Sequence, residues 1–159
     1  MGICGGYQIL GNEIIDDQGY DGTPSKAKGL GLLNVKTKMG KEKNLGKKEF
    51  ISTINGKKIS GYEIHLGITS GSDCNNPFAT LNNKKDGAIS SNGLVMGTYL
   101  HGLFFSDEFR NKFVAKLSSE EKKEDVSFHD TIDFILEEFV KVIEDNLDVD
   151  SILSVARNI

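Results

Sequence analysis

Cysteine is scarce in this sequence, and its two copies lack the spacing of a metal site or a disulfide framework. Cys4 and Cys74 lie far apart, with no Cys-x-x-Cys pair and no Cys/His ligand spacing around either. Neither a zinc site nor the cystine framework of a small secreted domain is therefore predicted. We expect no metal in this chain and two reduced thiols, as in a cytoplasmic protein.

An excess of positive charge and long apolar runs are absent as well. Lys and Arg number 19 against 23 Asp and Glu, which gives a formal net charge of −4 at pH 7. A chain with this balance is not expected to have nucleic acid as its main partner. No segment approaches roughly 18 consecutive apolar residues or resembles a secretion signal, so we predict no membrane contact and a cytoplasmic location. A GxxxxGK[ST] phosphate loop is also missing, and no ATP site is predicted.

What the sequence does contain is a mixture of helical and extended patterns in one domain-sized chain, residues 1–159. The patterns predict a short helix that starts at the Gly5-Gly6 turn, a strand at 31–38 and a hairpin at Asn55-Gly56. They also predict short strands from 77 to 100, including one at 94–100, and helices beginning near Ser106, Ile132 and Asp150. Asn-Gly suits a type I′ turn because both residues accept positive φ. The charged segment 118–127 is predicted to be a solvated connector. This order of elements predicts a mixed α/β domain.

The first residues, GICGG, have the G-x-C-x-G pattern of a nucleophile elbow. In such a turn, small neighbours let the backbone adopt a strained conformation from which the reactive side chain projects at the end of a strand. The N-terminus of the following helix favours a thiolate at Cys4, and the N–H of Gly5 is a local donor for an oxyanion. The alternative is an inert cysteine buried in a glycine-rich turn.

A thiolate nucleophile needs a base, and the sequence offers three histidines. His101 follows an apolar strand, where α/β enzymes place reactive groups, and is our first candidate. His65 lies in a predicted hairpin strand, and its structural alternative is a half-buried histidine paired with backbone. His129 precedes a long helix and is interpreted as a terminus residue. Cys4 and His101 together form a hypothesis of acyl transfer through a thioester.

Four separated segments, GICGGYQILG, KGLGLLNV, GYEIHLG and GTYLHGLF followed by DEFR, resemble the glutamine amidotransferase domain of cobyric acid synthases. The resemblance implies release of ammonia from glutamine in cobalamin biosynthesis, with Cys4 as nucleophile and His101 as general acid and base. Gln8, one helical turn after Cys4, is expected to face glutamine. The segment from Tyr62 to His65 is expected to line the same pocket.

The resemblance also implies a partner. In the family, a synthetase domain binds ATP, Mg and the corrinoid adenosylcobyrinic acid a,c-diamide, and amidates its side-chain carboxylates with the ammonia. That domain and the first strands of the amidotransferase sheet precede the cysteine motif. The expected fold of this chain is therefore part of a flavodoxin-like amidotransferase sheet, with antiparallel strands and C-terminal helices.

Two departures from the family pattern concern the histidine. Many amidotransferases have a His-x-Glu pair whose glutamate orients the imidazole, whereas Gly102 and Leu103 follow His101 here. Glu63 is a candidate substitute, its alternative being a solvent-facing hairpin carboxylate. Phe105 also stands where relatives often have Asp. Two other interpretations stay open: an amidotransferase that works with a Mur-ligase-like partner on peptidoglycan precursors, and a truncated module without catalysis.

Overall fold

The computed structural model describes residues 1–118 and 127–157. They fall into two compact units, one containing residues 1–118 and the other residues 127–157. The interior of the predicted charged connector, residues 119–126, lies outside the described residues. Within the described ranges, no helix combines the length and the apolar character needed to cross a lipid bilayer.

The first unit contains short helices among many strands. In chain order its elements are β1 (Gly2–Ile3), α1 (Gly5–Leu10), β2 (Glu13–Asp16), β3 (Ser25–Lys28), β4 (Val35–Ser52), β5 (Lys58–Gly71), β6 (Ala79–Leu81), β7 (Lys84–Asp86), β8 (Ala88–Ile89), β9 (Met96–Thr98) and α2 (Asp107–Leu117). Single 3₁₀ turns cover Ser72–Asn75 and Leu103–Phe105. The second unit contains α3 (Phe128–Asn146) and α4 (Val149–Arg157). The mixed α/β prediction and the two C-terminal helices are confirmed.

The strands form two sheets, in which most pairs are antiparallel. The smaller sheet has the order β1-β9-β8, and β1 runs parallel to β9. In the larger sheet the order is β3-β2-β4-β6-β7, and β5 pairs with β4. Because β1 and β9 are parallel, the residues that follow both strands emerge at the same edge of the smaller sheet.

The predicted short helix after the first glycines is confirmed as α1. It begins almost directly after β1, so the two elements must pack very closely. A Cβ atom on Gly2 would lie 2.5 Å from the carbonyl oxygen of Gly6, closer than real Cβ contacts. By contrast, a Cβ on Gly6 itself would meet no atom within 4 Å. Gly2 is therefore the glycine that allows the helix to start against the strand.

The predicted hairpin is confirmed, but the prediction of a type I′ turn is wrong. β4 and β5 pair from Ile51 and Lys58 onwards, with an irregularity between Met39 and Asn44. Gly56 has φ of 69°, whereas the only described non-glycine residues with positive φ are Cys4 and Asn82. A type I′ turn needs positive φ at both central residues. Here the loop is longer, and the Asn55 carboxamide oxygen instead accepts the N–H of Lys57 at 3.1 Å.

Two predicted strands differ from the structure at their ends. The strand expected at 31–38 begins only at Val35 and continues to Ser52. The strand expected at 94–100 is confined to Met96–Thr98. Side chains account for the early end of β9: the N–H of Tyr99 donates to Asp86 Oδ1 at 3.1 Å, and the N–H of Leu100 donates to Thr98 Oγ1 at 3.0 Å. These backbone groups are therefore satisfied without a neighbouring strand.

Two groups of buried side chains hold the first unit together. One group joins the β4–β5 hairpin to the segment around His101 and to α2, and consists of Phe50, Ile59, Phe78, Ala79, Leu100, Leu103 and Phe109. The other lies under α1 and consists of Tyr7, Leu33, Val35, Ala88 and Tyr99. Full burial of each large apolar side chain stabilises the fold by about 1.5–3 kcal/mol. Both groups include residues close to His101 in sequence, which fixes the backbone there.

Ser106 occupies the N-cap position of α2, as predicted, but its hydroxyl does not cap the helix. The hydroxyl oxygen instead accepts the N–H of Ser60 at 3.3 Å and so ties the helix start to β5. Asp107 and Glu108 occupy the first turn, where negative charge favours the helix dipole. Phe109, one residue further, is fully buried.

The contact between Gly2 and Gly6 gives a first prediction. Gly2→Ala should lower the free energy of unfolding by about 1–3 kcal/mol, because a methyl group is forced against a backbone carbonyl. Gly6→Ala should leave stability unchanged or raise it by up to about 1 kcal/mol, because alanine favours helix and the space is open. Urea unfolding of both variants measures the difference. Equal destabilisation by the two substitutions would contradict this packing.

Candidate active site

Cys4 connects β1 to α1 in an unusual backbone conformation. Its φ is 52° and its ψ is −115°, a combination that costs a non-glycine residue of order 1–3 kcal/mol and often occurs at functional sites. The backbone N–H of Cys4 donates to the Thr98 carbonyl at 2.9 Å, which continues the pairing of β1 with β9. The thiol donates to the Ile64 carbonyl oxygen, with 3.6 Å between the heavy atoms. The sharp turn thus directs the sulfur toward β5.

His101 follows β9 by three residues and is paired with β5. Its N–H donates to the Tyr62 carbonyl at 2.9 Å, and its own carbonyl accepts the Tyr62 N–H at 3.1 Å. The two rings stack, with centroids 5.3 Å apart and planes 6° from parallel. On either side of His101, Leu100 and Leu103 are completely buried. The Nε2 atom of His101 is buried and has no hydrogen-bond partner among the described residues.

One edge of β5 receives both Cys4 and His101. Residues two apart in a strand direct their backbone polar groups to the same edge. Tyr62 uses both of its groups for His101, and the next carbonyl on that edge, from Ile64, accepts the Cys4 thiol. The structure therefore brings the two residues to neighbouring positions along β5. In this arrangement the thiol is hydrogen-bonded to the strand rather than to the imidazole.

A cleft of about 240 Å³ opens beside the cysteine. We call it the Cys4 cleft; its lining includes Cys4, Gly5, Gln8, Asp21, Lys43 and His65. Four of the five residues predicted for the site thus share one cavity. His101, the fifth, is not among the described residues that line it. The volume lies below the roughly 300–1,000 Å³ of pockets for drug-sized molecules, so it suits a ligand as small as an amino acid.

Gln8 is held in place by a chain of hydroxyl groups. Its side-chain N–H donates to the Tyr99 hydroxyl at 3.3 Å, and that oxygen lies 2.6 Å from Thr69 Oγ1. Thr69 in turn lies 2.6 Å from Thr37 Oγ1, in β4. Burial raises the pKa of Tyr99, so its hydroxyl keeps its proton at neutral pH. The chain fixes the Gln8 carboxamide at the wall of the Cys4 cleft.

His65 lines the Cys4 cleft with a ring that is almost buried. Its Nδ1 lies 2.8 Å from the Gly67 carbonyl oxygen, and because a carbonyl can only accept, Nδ1 carries a proton. Its ring stacks on Tyr99 with centroids 3.7 Å apart. The bond to backbone fits the structural alternative that the sequence left open for this residue. The position in the cleft also fits a contact with a ligand.

The structure corrects the interpretation of Glu63. This carboxylate does not face solvent, since its side chain is only 14% exposed. It also lies away from His101, because successive side chains of a strand point to opposite faces, and Tyr62 is the residue stacked on that ring. Instead it lies 4.0 Å from His65 Nε2 and 3.9 Å from Lys48 Nζ. No substitute for the missing His-x-Glu glutamate is provided by Glu63.

Asp86 is a buried carboxylate that the sequence patterns did not single out. Burial raises its pKa above the usual range, while hydrogen bonds from the Thr98 hydroxyl and the Tyr99 N–H act in the opposite direction. Those two bonds fix the backbone where the chain leaves β9 and approaches His101. A short polar residue facing a buried strand end is a weak sequence signal, which explains why it was missed.

The sequence patterns also missed Asp21 and Lys43. Asp21 follows β2 in a turn organised by Asp16, whose carboxylate oxygens accept the N–H groups of Tyr20 and Asp21, each at 2.9 Å. The Asp21 N–H, followed by that of Tyr20, lowers the pKa of Asp16. Lys43 belongs to the irregular part of β4, between Met39 and Asn44. Neither placement follows a regular period, so a periodicity search does not find it.

Residues 1–109 match the family model described as a CobB/CobQ-like glutamine amidotransferase domain. The chain belongs to this family. Its mixed α/β fold, with mostly antiparallel strands and C-terminal helices, is consistent with part of an amidotransferase fold.

Several curated proteins named cobyric acid synthase are similar to this amidotransferase domain. The chain is 42% identical to cobyric acid synthase from Cereibacter sphaeroides and 43% identical to that from Bradyrhizobium diazoefficiens, in each case over 99% of this chain and 32% of the relative. It is 44% identical to cobyric acid synthase from Rhizobium rhizogenes over 91% of this chain and 30% of the relative. The chain thus spans about a third of the length of these curated relatives.

The turn around Asp16 gives a pH-dependent prediction. Because the pKa of Asp16 is lowered in the folded protein, its ionised form stabilises the fold above the ordinary Asp pKa of about 3.9. This contribution is lost as the pH falls through the lower, folded-state pKa. Asp16→Asn should therefore be less stable than the parent at neutral pH, with a difference that shrinks below about pH 4. Urea unfolding at both pH values measures it.

Asp17→Asn is the matched control for that experiment. Asp17 is adjacent, and its contacts are exposed ion pairs with Lys26 and Lys38 at 3.7 and 4.0 Å. Such pairs contribute little to stability. A pH-independent effect of Asp16→Asn, or an equal effect of both substitutions, would show that the turn does not depend on the ionised Asp16.

The stacked pair of Tyr62 and His101 gives a further prediction. Tyr62→Leu should lower the free energy of unfolding by about 0.5–1.5 kcal/mol through loss of the ring contact, whereas Tyr62→Phe should stay close to the parent. The NMR signals of the His101 ring protons should shift in the Leu variant and change little in the Phe variant. Unchanged stability and unchanged His101 signals in Tyr62→Leu would rule out a role for the stack.

Proposed function

We propose that this chain hydrolyses glutamine at Cys4 and supplies the ammonia to a cobyric acid synthase reaction. The observation that carries the proposal is the strained turn that places Cys4 in the lining of a small cleft, in a protein of the glutamine amidotransferase family. The relatives named cobyric acid synthase, about 40% identical over nearly the whole chain, support the choice of pathway.

In the first step, the Cys4 thiolate attacks the carboxamide carbon of glutamine. A carbon–sulfur bond forms, the carbon–nitrogen bond breaks, and ammonia leaves with a proton delivered by the general acid. Water then attacks the glutamyl thioester, and glutamate and the free thiol are released. Before the first step the thiol must give up its hydrogen bond to the Ile64 carbonyl.

Gly5 is proposed to stabilise the oxyanion formed during each attack. It lies next to Cys4 in the first turn of α1, and it lines the Cys4 cleft. The first N–H groups of a helix have no acceptor within the helix, so the N–H of Gly5 is available to a ligand. A donor of this kind typically contributes about 10²–10³ in rate.

His101 is proposed as the general acid and base. It pairs with β5 at Tyr62, two residues before Ile64, whose carbonyl accepts the Cys4 thiol. Its Nε2 atom has no partner among residues 1–118 and 127–157 that would compete for a proton. The stack on Tyr62 and the paired backbone hold the ring in place, and within the described residues no ion pair joins it to a carboxylate. This arrangement supports a Cys-His dyad in place of a triad.

Gln8 and His65 are proposed to contact the bound glutamine. Both line the Cys4 cleft, and both are fixed by Tyr99, through a hydrogen bond to Gln8 and a ring stack with His65. A site of this kind is preorganised, because its polar groups need not be reordered when the ligand enters.

The proposed acceptor reaction takes place on a synthetase partner. That partner would use ATP and Mg to activate carboxylates of adenosylcobyrinic acid a,c-diamide and would bind the corrinoid, while this chain carries no cofactor of its own. Support comes from the length of the relatives, in which two thirds of the chain is additional to the part matched here.

Selective modification of Cys4 tests the proposal. A diazo ketone analogue of glutamine should label Cys4 much faster than Cys74 near neutral pH, and Cys4→Ser should abolish ammonia release from glutamine while Cys74→Ser retains it. His101→Asn should lower kcat by about 10²–10⁴ with folding intact. Mass spectrometry of labelled peptides and an ammonia assay provide the measurements.

Equal labelling of the two thiols would refute the nucleophile assignment and favour a module without catalysis. The acceptor is tested separately, by supplying the synthetase partner with ATP and either a corrinoid carboxylate or a peptidoglycan lipid precursor. Transfer of ¹⁵N from amide-labelled glutamine to the corrinoid is the expected result. Transfer only to the lipid would replace the proposed pathway with the Mur-ligase type.

A further inference from the structure

The Cys4 cleft contains one carboxylate and one ammonium group that the proposed mechanism does not use. Asp21 and Lys43 both line it, and both side chains are exposed to solvent. Neither forms an ion pair within the described part of the chain, although several nearby acidic and basic residues do. Two unpaired charges of opposite sign therefore face one small cavity.

Each charge is brought to the cleft by a local irregularity rather than by a regular element. The turn that carries Asp21 is fixed by the buried Asp16 carboxylate, which accepts two backbone N–H groups. Lys43 lies where the pairing of β4 with β5 loses its register, between Met39 and Asn44. The regular alternation of a strand does not apply within such an irregularity, and the side chain is redirected.

We propose that Asp21 binds the α-ammonium group, and Lys43 the α-carboxylate, of the free glutamine substrate. This inference rests on the proposed glutaminase function and specifies the form of its substrate. A free amino acid carries both charges on one carbon at neutral pH, whereas a glutamine within a peptide carries neither. The two residues thus select free glutamine over glutaminyl peptides and over simple amides.

The shape of the substrate agrees with this assignment. The carboxamide must reach Cys4, so the charged end of glutamine is left for the remaining part of the cleft. Because the cavity is small, one bound molecule can contact several of its walls. Opposite charges on the wall also disfavour a ligand with net charge of either sign, which gains from one group and is repelled by the other.

The test compares glutamine with two analogues that each lack one charge. 4-Carbamoylbutanoate (glutaramate) lacks the α-ammonium group, and 4-aminobutanamide lacks the α-carboxylate. Asp21→Asn should raise KM for L-glutamine roughly 5- to 20-fold, within the range between exposed ion pairs and charged hydrogen bonds, and leave KM for 4-carbamoylbutanoate unchanged. Lys43→Gln should likewise raise KM for L-glutamine and leave KM for 4-aminobutanamide unchanged. In both variants kcat should change little.

Matched controls lie beside each residue. Lys41→Gln removes an exposed charge from the same irregular segment of β4, and Asp17→Asn removes one from the chain leading to Asp21; neither residue lines the cleft. Both controls should leave KM for all three compounds unchanged. Equal loss on glutamine and on the matching truncated analogue, or equal effects of control and test substitutions, would overturn the inference.

A binding measurement separates this inference from the proposed hydrolysis. The purified Cys4→Ser protein is titrated with L-glutamine, and the rise of its thermal unfolding midpoint with glutamine concentration reports affinity without turnover. Weaker glutamine binding when Asp21→Asn or Lys43→Gln is added supports the inference even if the parent protein releases no ammonia. Unchanged glutamine binding in both double variants, or no binding of glutamine by any of these proteins, overturns it.

Discussion

The parallel pairing of β1 with β9 is the interaction on which the site depends. Gly2 lies opposite Gly97 and Ile3 opposite Thr98, so two segments far apart in sequence leave the sheet at one edge. The segment after β1 turns sharply through Cys4 into α1, and the segment after β9 continues through buried Leu100 to His101. Parallel strands need a long connection between them. The β4–β5 hairpin and the turn that carries Asp21 belong to this connection, and both contribute residues to the lining of the cleft.

β5 adds a second constraint, because its edge and its two faces contact different residues of the site. The edge receives His101 at Tyr62 and the Cys4 thiol at Ile64. One face carries Glu63 and His65, which the alternation of the strand separates from the ring of Tyr62. An acidic residue close in sequence to the histidine's partner is therefore not close to the histidine. The stack of Tyr62 on His101 holds the imidazole in a fixed plane.

Local signals in the sequence account for much of this site, and long-range pairing accounts for what they miss. The glycines around Cys4 predict the sharp turn and the short helix, since both depend on adjacent residues. The β4–β5 hairpin was predicted correctly, but its type I′ turn was wrong: Asn55 does not adopt positive φ, and its side chain accepts the N–H of Lys57 in a longer loop. The early end of β9 depends on Asp86, and the cleft positions of Asp21 and Lys43 depend on irregular backbone. No periodicity encodes these.

The two groups proposed for catalysis, the Cys4 thiol and the His101 imidazole, differ in whether they have a hydrogen-bond partner. Leaving a buried polar atom without a hydrogen bond costs about 1–3 kcal/mol, and Nε2 of His101 is such an atom within the described residues. The Cys4 thiol, by contrast, has an acceptor in the Ile64 carbonyl, although a thiol is a weak donor. In the proposed mechanism the thiol would therefore give up only a weak hydrogen bond, and no described residue competes with it for Nε2 of His101.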